Sequence, residues 1–456
     1  MKWVLFIAAV ASVLPISSWL RRNRGEIPKV WMIVGFLAFE HGDLHATMAL
    51  ISWAGMWPGY VTGFEISLLD FLLLAIYLSL PRTNNSLPFL FSIGFYFFAV
   101  LLSVFQAGVP EAALFYILQL MRIIFVYAVV AKACADDRVV PSLLKGMAVG
   151  LLWQAGLAIS QRFGGGLLQT AGGFASQNLL GMMSHFVIFP FFALLLAGER
   201  GWFPIMTTLS GTLIAVLTTS RATIVATAVG YFVMFILSAL RGWTPRKGTI
   251  AIASVIFIVA LSPLAISSFE TRFSRDVGEQ FLEPDDARVE MAEAASIMFS
   301  EHPMGIGANH FVRAANIQGY YARAGLNWFN SGATVHNVYW LVAAETGFLG
   351  IIGFVFLLLR PLVVGFSCGW RNRRDRRGDL LLGFCVALSI VYLHSFYEWI
   401  FITFYCQYVF AVFIGLIAGL AQQLNYWPRT RTYAVQLPTD ELVRPAERKS
   451  ERYRAS

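Results

Sequence analysis

Apolar runs of about 20 residues recur along most of the chain, and short polar links separate them. A helix of that length crosses a hydrocarbon layer about 30 Å thick, because each helical residue advances about 1.5 Å. The runs lack the alternation of a barrel strand, and backbone groups in lipid must be satisfied within their own segment. The pattern therefore predicts an all-α polytopic membrane protein with about 12–13 transmembrane helices.

The predicted spans follow one another closely up to residue 266 and resume at residue 338. The first is expected to be a retained helix rather than a cleaved signal peptide. The second is the weakest, because His41, Asp43 and His45 interrupt it and part of 41–60 is expected in the interfacial layer. The spans cover approximately residues 1–20, 30–53, 61–80, 88–106, 111–131, 142–160, 180–198, 203–219, 222–240, 249–266, 338–366, 380–395 and 402–422.

Positive charges are concentrated in the links between apolar runs and in the tail. Cytoplasmic links carry such charges, and alternating spans place all of these links on one side of the membrane. Three links then lie outside: residues 161–179, the turn at Ser220 and Arg221, and a long segment at 267–337. The basic links are Arg21–Lys29, Lys132–Arg138, Arg200, Arg241–Lys247, Arg371–Arg377 and the tail after Pro428.

These patterns divide the chain into four parts. Residues 1–266 are expected to form an N-terminal transmembrane bundle, and 267–337 a large outer loop that carries the chemistry. Residues 338–426 supply the C-terminal transmembrane helices. The polar, Arg-rich segment 427–456 is expected to be a disordered cytoplasmic tail.

Composition narrows the possible functions. The chain is 57% apolar and 13% charged, whereas a soluble protein has about a quarter of its residues charged. The net charge of +8 lies in membrane links rather than in a basic patch with stacking aromatics, so no nucleic-acid partner is expected. Four cysteines lie in or beside apolar runs or basic links, without metal-ligand spacing. We expect no disulfide framework, no metal and no cofactor.

Four short motifs follow one another on the predicted outer side. GGFASQNLLG occupies 172–181 and TTSRATIVA occupies 218–226. In the long loop, a helical pattern that begins at Arg288 ends in HPMGIG, and HNVYWLVAAETGFLG then leads into the next span. Proline and glycine in the third motif are expected to set backbone geometry rather than to contact a substrate.

In this order, the motifs resemble the bacterial O-antigen ligase and O-antigen polymerase family, which includes related protein O-oligosaccharyltransferases. The resemblance covers roughly residues 170–360. Met291 replaces a bulky aromatic of many members and Trp340 a more common leucine. Neither change removes a polar group, so the departures bear on the subfamily more than on the family.

The resemblance implies a GT-C-like membrane glycosyltransferase of the bacterial inner membrane, with its active site facing the periplasm. Such an enzyme moves a glycan from undecaprenyl pyrophosphate to an acceptor hydroxyl, with inversion and without a metal. Its partners would be the lipid-linked donor, the membrane lipid and an acceptor that is a glycan, a lipid A core or a protein. Ligase and polymerase stay open as alternatives, since both need the same chemistry.

His336, Arg288 and Arg221 are the predicted catalytic residues. A neutral imidazole at His336 can take the proton of a sugar hydroxyl, which is otherwise a poor nucleophile. Guanidinium groups at Arg221 and Arg288 can bind the pyrophosphate as its charge grows. The alternatives are a helix-capping or headgroup role for His336 and a snorkelling Arg221. Arg288 has three acidic neighbours in sequence as alternative partners, Glu283, Asp285 and Glu290.

Asn178, Asn337, His302, His394 and Glu398 are the predicted substrate-binding residues. Asn178 has an alternative role in shaping a re-entrant turn. His394 and Glu398 are four residues apart near the end of a span, so they are expected to share a helix face. Ionisable groups at such a position are functional candidates, and the alternative that we favour slightly is a mutual hydrogen-bonded pair that holds the bundle together.

A transporter or flippase of lipid-linked sugars or other anionic solutes is the rival from another class. It would need charged groups deep in the bundle and preferably an internal repeat. No repeat is visible in the chain, and its most suggestive polar groups lie at the outer ends of the predicted spans.

Overall fold

The computed structural model describes residues 2–40, 47–81, 87–276 and 284–427. His41, Asp43 and His45 lie outside the described residues, as does the predicted tail beyond Trp427.

Helices make up about three quarters of the described chain. They are α1 Lys2–Arg22, α2 Ile27–Leu37, α3 Leu68–Ser79, α4 Leu90–Ser103, α5 Pro110–Ala133, α6 Val139–Ile159, α7 Gln177–Leu196, α8 Trp202–Leu217, α9 Arg221–Arg241, α10 Pro245–Asp276, α11 Pro284–Glu301, α12 Phe311–Ile317, α13 Tyr320–Arg323, α14 Val338–Arg371, α15 Arg376–His394 and α16 Phe404–Gln423. Two strands, β1 Met48–Ser52 and β2 Gly63–Ile66, form an antiparallel hairpin.

Length and composition allow 8 helices of the described chain to cross a membrane. They are Trp3–Arg22, Pro110–Ala133, Val139–Gly164, Gln177–Leu196, Arg221–Arg241, Val338–Arg371, Arg376–His394 and Phe404–Gln423. Three shorter apolar helices, Leu68–Ser79, Leu90–Gln106 and Trp202–Leu217, lie between them in sequence. The prediction of an all-α polytopic membrane protein is thus confirmed.

The second predicted span differs from the structure. Helix α2 ends at Leu37, and the hairpin β1–β2 occupies the residues in which the span was expected to end. The prediction of a membrane helix through residue 53 was wrong, since polar His and Asp residues inside a run are costly in hydrocarbon. The next helix, α3, begins only at Leu68, where Ser67 and Asp70 form a reciprocal capping box.

Basic residues gather at one end of the bundle, which we call the basic end. There Arg241 on α9 forms an ion pair of 3.0 Å with Asp379 on α15, and Arg376 forms one of 2.8 Å with Glu199. The end of α9, the end of α14 and the start of α15 meet here, because Arg241 also donates to the carbonyl oxygen of Gly369. The opposite end, which we call the site end, contains the starts of α7, α9 and α14 and the end of α15.

Helix α7 lies at the centre of the bundle and is buried along nearly its whole length. It packs against α8, α9 and α15. Small residues allow the close approach that helix association in a membrane favours. A Cβ atom added at Gly181 would lie 2.2 Å from Thr223 on α9, and one added at Gly383 would lie 2.8 Å from Pro190 on α7.

The HPMGIG and ETGFLG segments fold against each other at the site end. The backbone N–H of Gly307 donates to the carbonyl oxygen of Glu345 at 2.9 Å, and that of Phe348 donates to the carbonyl oxygen of Pro303 at 2.9 Å. Helix α14 is interrupted between these contacts by Gly347, whose φ of 67° is left-handed. The two segments that the sequence showed as separate motifs therefore form one structural unit.

Gly305 is the tightest point of this unit. Its φ is +85°, and an added Cβ atom would lie 2.4 Å from the carbonyl oxygen of Glu345. The position therefore requires glycine for two independent reasons, conformation and space. This agrees with the expectation that the proline and glycines of the motif set backbone geometry.

The buried carboxylate of Glu345 anchors the residues that follow HPMGIG. It accepts hydrogen bonds from the backbone N–H groups of Asn309 at 2.8 Å and Phe311 at 2.9 Å, and from the Tyr60 hydroxyl at 2.7 Å. Asn309 in turn donates to the carbonyl oxygen of Val61 at 2.7 Å. Glu345 thus fixes the outer segment to the loop between β1 and β2.

Candidate active site

One backbone hydrogen bond and one side-chain hydrogen bond hold the start of α14 against the end of α15. The N–H of Val338 donates to the carbonyl oxygen of Ser395 at 3.0 Å, and the Tyr339 hydroxyl donates to the carbonyl oxygen of Tyr392 at 2.8 Å. His336 immediately precedes this junction. The chain therefore brings His336 to the same end of the bundle as His394.

Glu398 joins two further parts of the chain. Its Oε1 atom accepts a hydrogen bond of 2.5 Å from the side-chain amide of Asn178 on α7 and lies 3.4 Å from a guanidinium nitrogen of Arg288 on α11. The Glu398 side chain is almost fully buried. Burial raises its pKa to about 7, although the charge of Arg288 and the Asn178 amide oppose this shift.

The favoured mutual pair of His394 and Glu398 was wrong. Helix α15 ends at His394, and a turn follows before Glu398, so the two residues do not share a helix face. Glu398 bonds to Asn178 instead. Neither ring nitrogen of His394, which is buried, has a hydrogen-bond partner among the described residues.

Arg288 lies in the first turns of α11 and is the central cation of this cluster. Its partner is Glu398, 110 positions further along the chain, rather than Glu290 nearby. Glu283 lies outside the described residues. The charge of Arg288 also acts on His336. One guanidinium group therefore connects the loop helix, the start of α14 and the segment after α15.

His336 is partly buried beside this charge. Burial and the charge of Arg288 lower the pKa of His336 to about 4, and the backbone of Thr334 partly opposes the shift. No well-formed hydrogen bond reaches its buried Nδ1 atom from the described part of the chain. The imidazole is therefore neutral near pH 7, as a proton acceptor must be.

Asn337, rather than His336, caps α14. Its side-chain oxygen accepts hydrogen bonds from the backbone N–H groups of Tyr339 at 2.9 Å and Trp340 at 3.1 Å. Such a cap satisfies donors that a helix start leaves unpaired. The cap at the start of α14 is therefore Asn337 and not His336, and the substrate contact expected of Asn337 stays a prediction.

The starts of α7 and α9 lie side by side at the site end. Ser176 and Ser220 cap them, and the two helices touch at Gly181 and Thr223, within the first turns of each. Asn178 and Arg221 therefore stand near two helix N-termini. Unpaired N–H groups and aligned peptide dipoles make such N-termini favourable for phosphate.

Arg221 is the first residue of α9 and is exposed at this position. The segment around Thr170 packs onto the turn before it, with the Thr170 hydroxyl donating to the carbonyl oxygen of Leu217 at 3.1 Å. The predicted outer links at 161–179 and at Ser220 thus meet at one end of the bundle.

His185 is a buried polar residue that sequence reasoning missed. It lies on α7, its ring centroid is 5.5 Å from that of His394, and its Nε2 atom is 3.0 Å from the Thr227 hydroxyl. Its position inside an apolar run was a usable signal, because ionisable residues in spans are functional candidates. His185 and His394 therefore place two buried imidazole rings beside each other near the end of α15.

His302 does not join this cluster. It follows the end of α11, 14 residues after Arg288, which corresponds to roughly 20 Å along a helix axis. The His302 ring is exposed and contacts the edge of Tyr320, with 6.4 Å between centroids. A role in substrate binding there stays a prediction that would concern a distant part of the substrate.

Among the residues that the structure describes, no group of three or more His, Cys, Asp or Glu side chains could hold a metal ion. The four cysteines, Cys134, Cys368, Cys385 and Cys406, are buried and free.

The fold and the cluster define a multi-pass helical membrane protein with cationic and imidazole groups gathered at one end of its bundle. A family model described as O-antigen ligase matches residues 205–355. This third of the chain contains Arg221, Arg288 and His336, and the predicted resemblance is confirmed there. No curated protein matches the chain.

Proposed function

We propose that the protein transfers a glycan from undecaprenyl pyrophosphate to an acceptor hydroxyl at the site end, and that this end faces the periplasm of a bacterial inner membrane. The family match supports membrane glycan transfer of the O-antigen ligase type. The observation that carries the specific mechanism is the position of Arg288, whose charge acts on both His336 and the buried Glu398. A phosphate-binding cation and a proton acceptor thus occur together.

The donor pyrophosphate would bind between the starts of α7 and α9 and Arg288. Arg221, Arg288 and the Asn178 amide offer charged and neutral donors there, next to two helix N-termini. Fixed donors stabilise the charge that develops on the leaving pyrophosphate, and they need no reorganisation at the moment of reaction.

His336 would act as the general base. The acceptor oxygen forms a bond to the anomeric carbon, the bond from that carbon to the pyrophosphate oxygen breaks, and the acceptor proton moves to His336. Attack on the face opposite the leaving group inverts the anomeric centre. Because the charge of Arg288 contributes to the low pKa of His336, a bound pyrophosphate that neutralises this charge would raise the basicity of His336.

The acceptor distinguishes the two versions of this activity. A ligase would use a lipid A core sugar or a protein hydroxyl, and a polymerase would use the end of another lipid-linked repeat unit. Both use the same base and the same cations. Purified protein supplied with a polyprenyl-pyrophosphate glycan and each acceptor in turn, with a chelator present, would separate the versions by product.

The test of the mechanism is His336→Ala in this assay and in cells. We expect glycan transfer to fall by about 10²–10⁴-fold, the usual contribution of general base catalysis. Arg323→Ala is the matched control, since it removes an exposed guanidinium that pairs with Glu301 near the far end of α11. Both variants should accumulate in the membrane to the same level. Undiminished transfer by His336→Ala would refute the assignment.

A further inference from the structure

Glu398 holds its two partners with unequal strength. The Asn178 amide lies 2.5 Å from its Oε1 atom, whereas the nearest Arg288 nitrogen lies at 3.4 Å and makes a single contact. Charge-assisted N–H···O bonds are ordinarily about 2.7–2.9 Å long, and strong Arg–carboxylate pairs are bidentate. Arg288 is therefore the loosely bound partner.

The two side chains of this ion pair also differ in burial. The Glu398 side chain is 4% exposed, and the Arg288 side chain is 39% exposed. The carboxylate is enclosed by the bundle and tethered to α7, while the guanidinium can turn toward a ligand without moving α11. Arg288 is thus the member of the pair that a ligand can reach.

We propose that Arg288 is exchanged between Glu398 and the donor pyrophosphate, and that Glu398 takes up one proton when Arg288 leaves it. Glu398 is then a positioning residue, which holds Arg288 beside the empty site and gives it up when the donor binds. This inference rests on the proposed function, because it requires a pyrophosphate ligand. Glu398 and Asn178 lie outside the segment that the family model matches.

The proton uptake follows from the surroundings of Glu398. A buried carboxylate that loses its cation is costly, and it becomes neutral instead. The groups that act on it are Arg288 on α11 and the Asn178 amide on α7, and the charge of the same Arg288 also acts on His336 and on His394. Arg288 is the one whose charge lowers the pKa of Glu398 most, and burial alone would raise that pKa above about 7.

This exchange determines whether donor affinity rises or falls with pH. Above pH 7 the empty site holds an ionised Glu398, so donor binding must bring in a proton and weakens as the pH rises. Coupling to one proton weakens binding by at most about tenfold per pH unit. After transfer, loss of the proton restores the carboxylate, which competes with the departing lipid pyrophosphate for Arg288.

Glu398→Gln tests the exchange, because glutamine keeps an acceptor for Asn178 and removes the titration. The probe is a short-chain polyprenyl diphosphate sugar, whose esterified phosphates do not titrate near neutral pH. Between pH 7 and 8.5 we expect wild-type affinity to fall roughly tenfold and the affinity of the variant to change less than about twofold. Glu301→Gln, which removes the exposed carboxylate paired with Arg323, is the control and should keep the wild-type slope.

Calorimetry of the unaltered protein gives an independent measurement if Glu398→Gln does not accumulate. At pH 8, titrations in buffers of different ionisation enthalpy should show close to one proton taken up per probe bound. His336 contributes little there, because burial, the main cause of its lowered pKa, persists when the bound probe neutralises Arg288 and keeps that pKa below the ordinary value of about 6.5. No uptake, or the same pH slope in wild type and Glu398→Gln, overturns the exchange. Failure of the wild type to bind the probe at any pH overturns the proposed function instead.

Discussion

The role of Asn337 can be decided by a short series of substitutions. The structure assigns it to the start of α14, where its side-chain oxygen accepts two backbone hydrogen bonds. Sequence reasoning assigned it to substrate binding. Asn337→Ala removes both the cap and the amide, whereas Asn337→Ser removes the amide and keeps a hydroxyl that caps equally well.

The expected cost of Asn337→Ala follows from the two lost bonds. Replacing a capping side chain by alanine costs about 0.5–2 kcal/mol, and the double contact places this site near 1.5 kcal/mol. Because the entropy of unfolding grows with chain length, a shift of the unfolding temperature by only about 1–2 °C should follow. Because His336 is the preceding residue, a misplacement of its ring by about 1 Å should also lower transfer by up to about 100-fold.

Thermal unfolding in detergent and glycan transfer by the purified protein measure the two effects. Asn337→Ser should match the wild type in stability and retain transfer within severalfold. A serine variant that is as stable as the wild type but as inactive as Asn337→Ala would refute the capping explanation, since only the amide would then distinguish them. Such a result would restore the contact with substrate that the sequence predicted.

Two further predictions concern backbone geometry and pH. Gly305→Ala should prevent accumulation of folded protein, because at a φ of +85° the added Cβ atom would lie 2.4 Å from the carbonyl oxygen of Glu345. Gly319→Ala is the control: its φ is +73° but nothing lies within 4 Å, so the substitution should cost only about 1–2 kcal/mol. The measurement is the amount of each variant in the membrane. The acid limb of kcat/KM should lie near pH 4, since His336 has a pKa of about 4 in the empty site. Arg288→Gln removes a charge that lowers this pKa, so it should move the acid limb to higher pH while slowing transfer. An acid limb near pH 6.5 in the wild type would contradict the assignment of the base.

Membrane helices were predictable from the sequence because their determinant is local. Every backbone group in lipid needs a partner within its own helix, so the apolar length alone marks the span. The predicted run at 111–131 corresponds to α5, Pro110–Ala133, and that at 402–422 to α16, Phe404–Gln423. Alternation of basic links in turn placed Asn178, Arg221 and His336 at a common end of the bundle.

Some of the remaining features had a local signal that was missed. Asparagine directly before an apolar run is a typical helix cap, so the role of Asn337 could have been predicted from its position. The break within the second predicted span was visible in the polar residues at 41–45, but the hairpin β1–β2 that follows was not. A short strand pair has no length requirement comparable to that of a membrane helix.

The pairing of side chains was decided only by tertiary structure. Periodicity placed His394 and Glu398 on one helix face, but α15 ends between them, and Glu398 finds Asn178 and Arg288 at separations of 220 and 110 residues. The sequence determined which groups reach the same side of the membrane, since burial of apolar length is a property of each segment. Which of them touch depends on how the helices pack, and that depends on contacts between segments far apart in the chain.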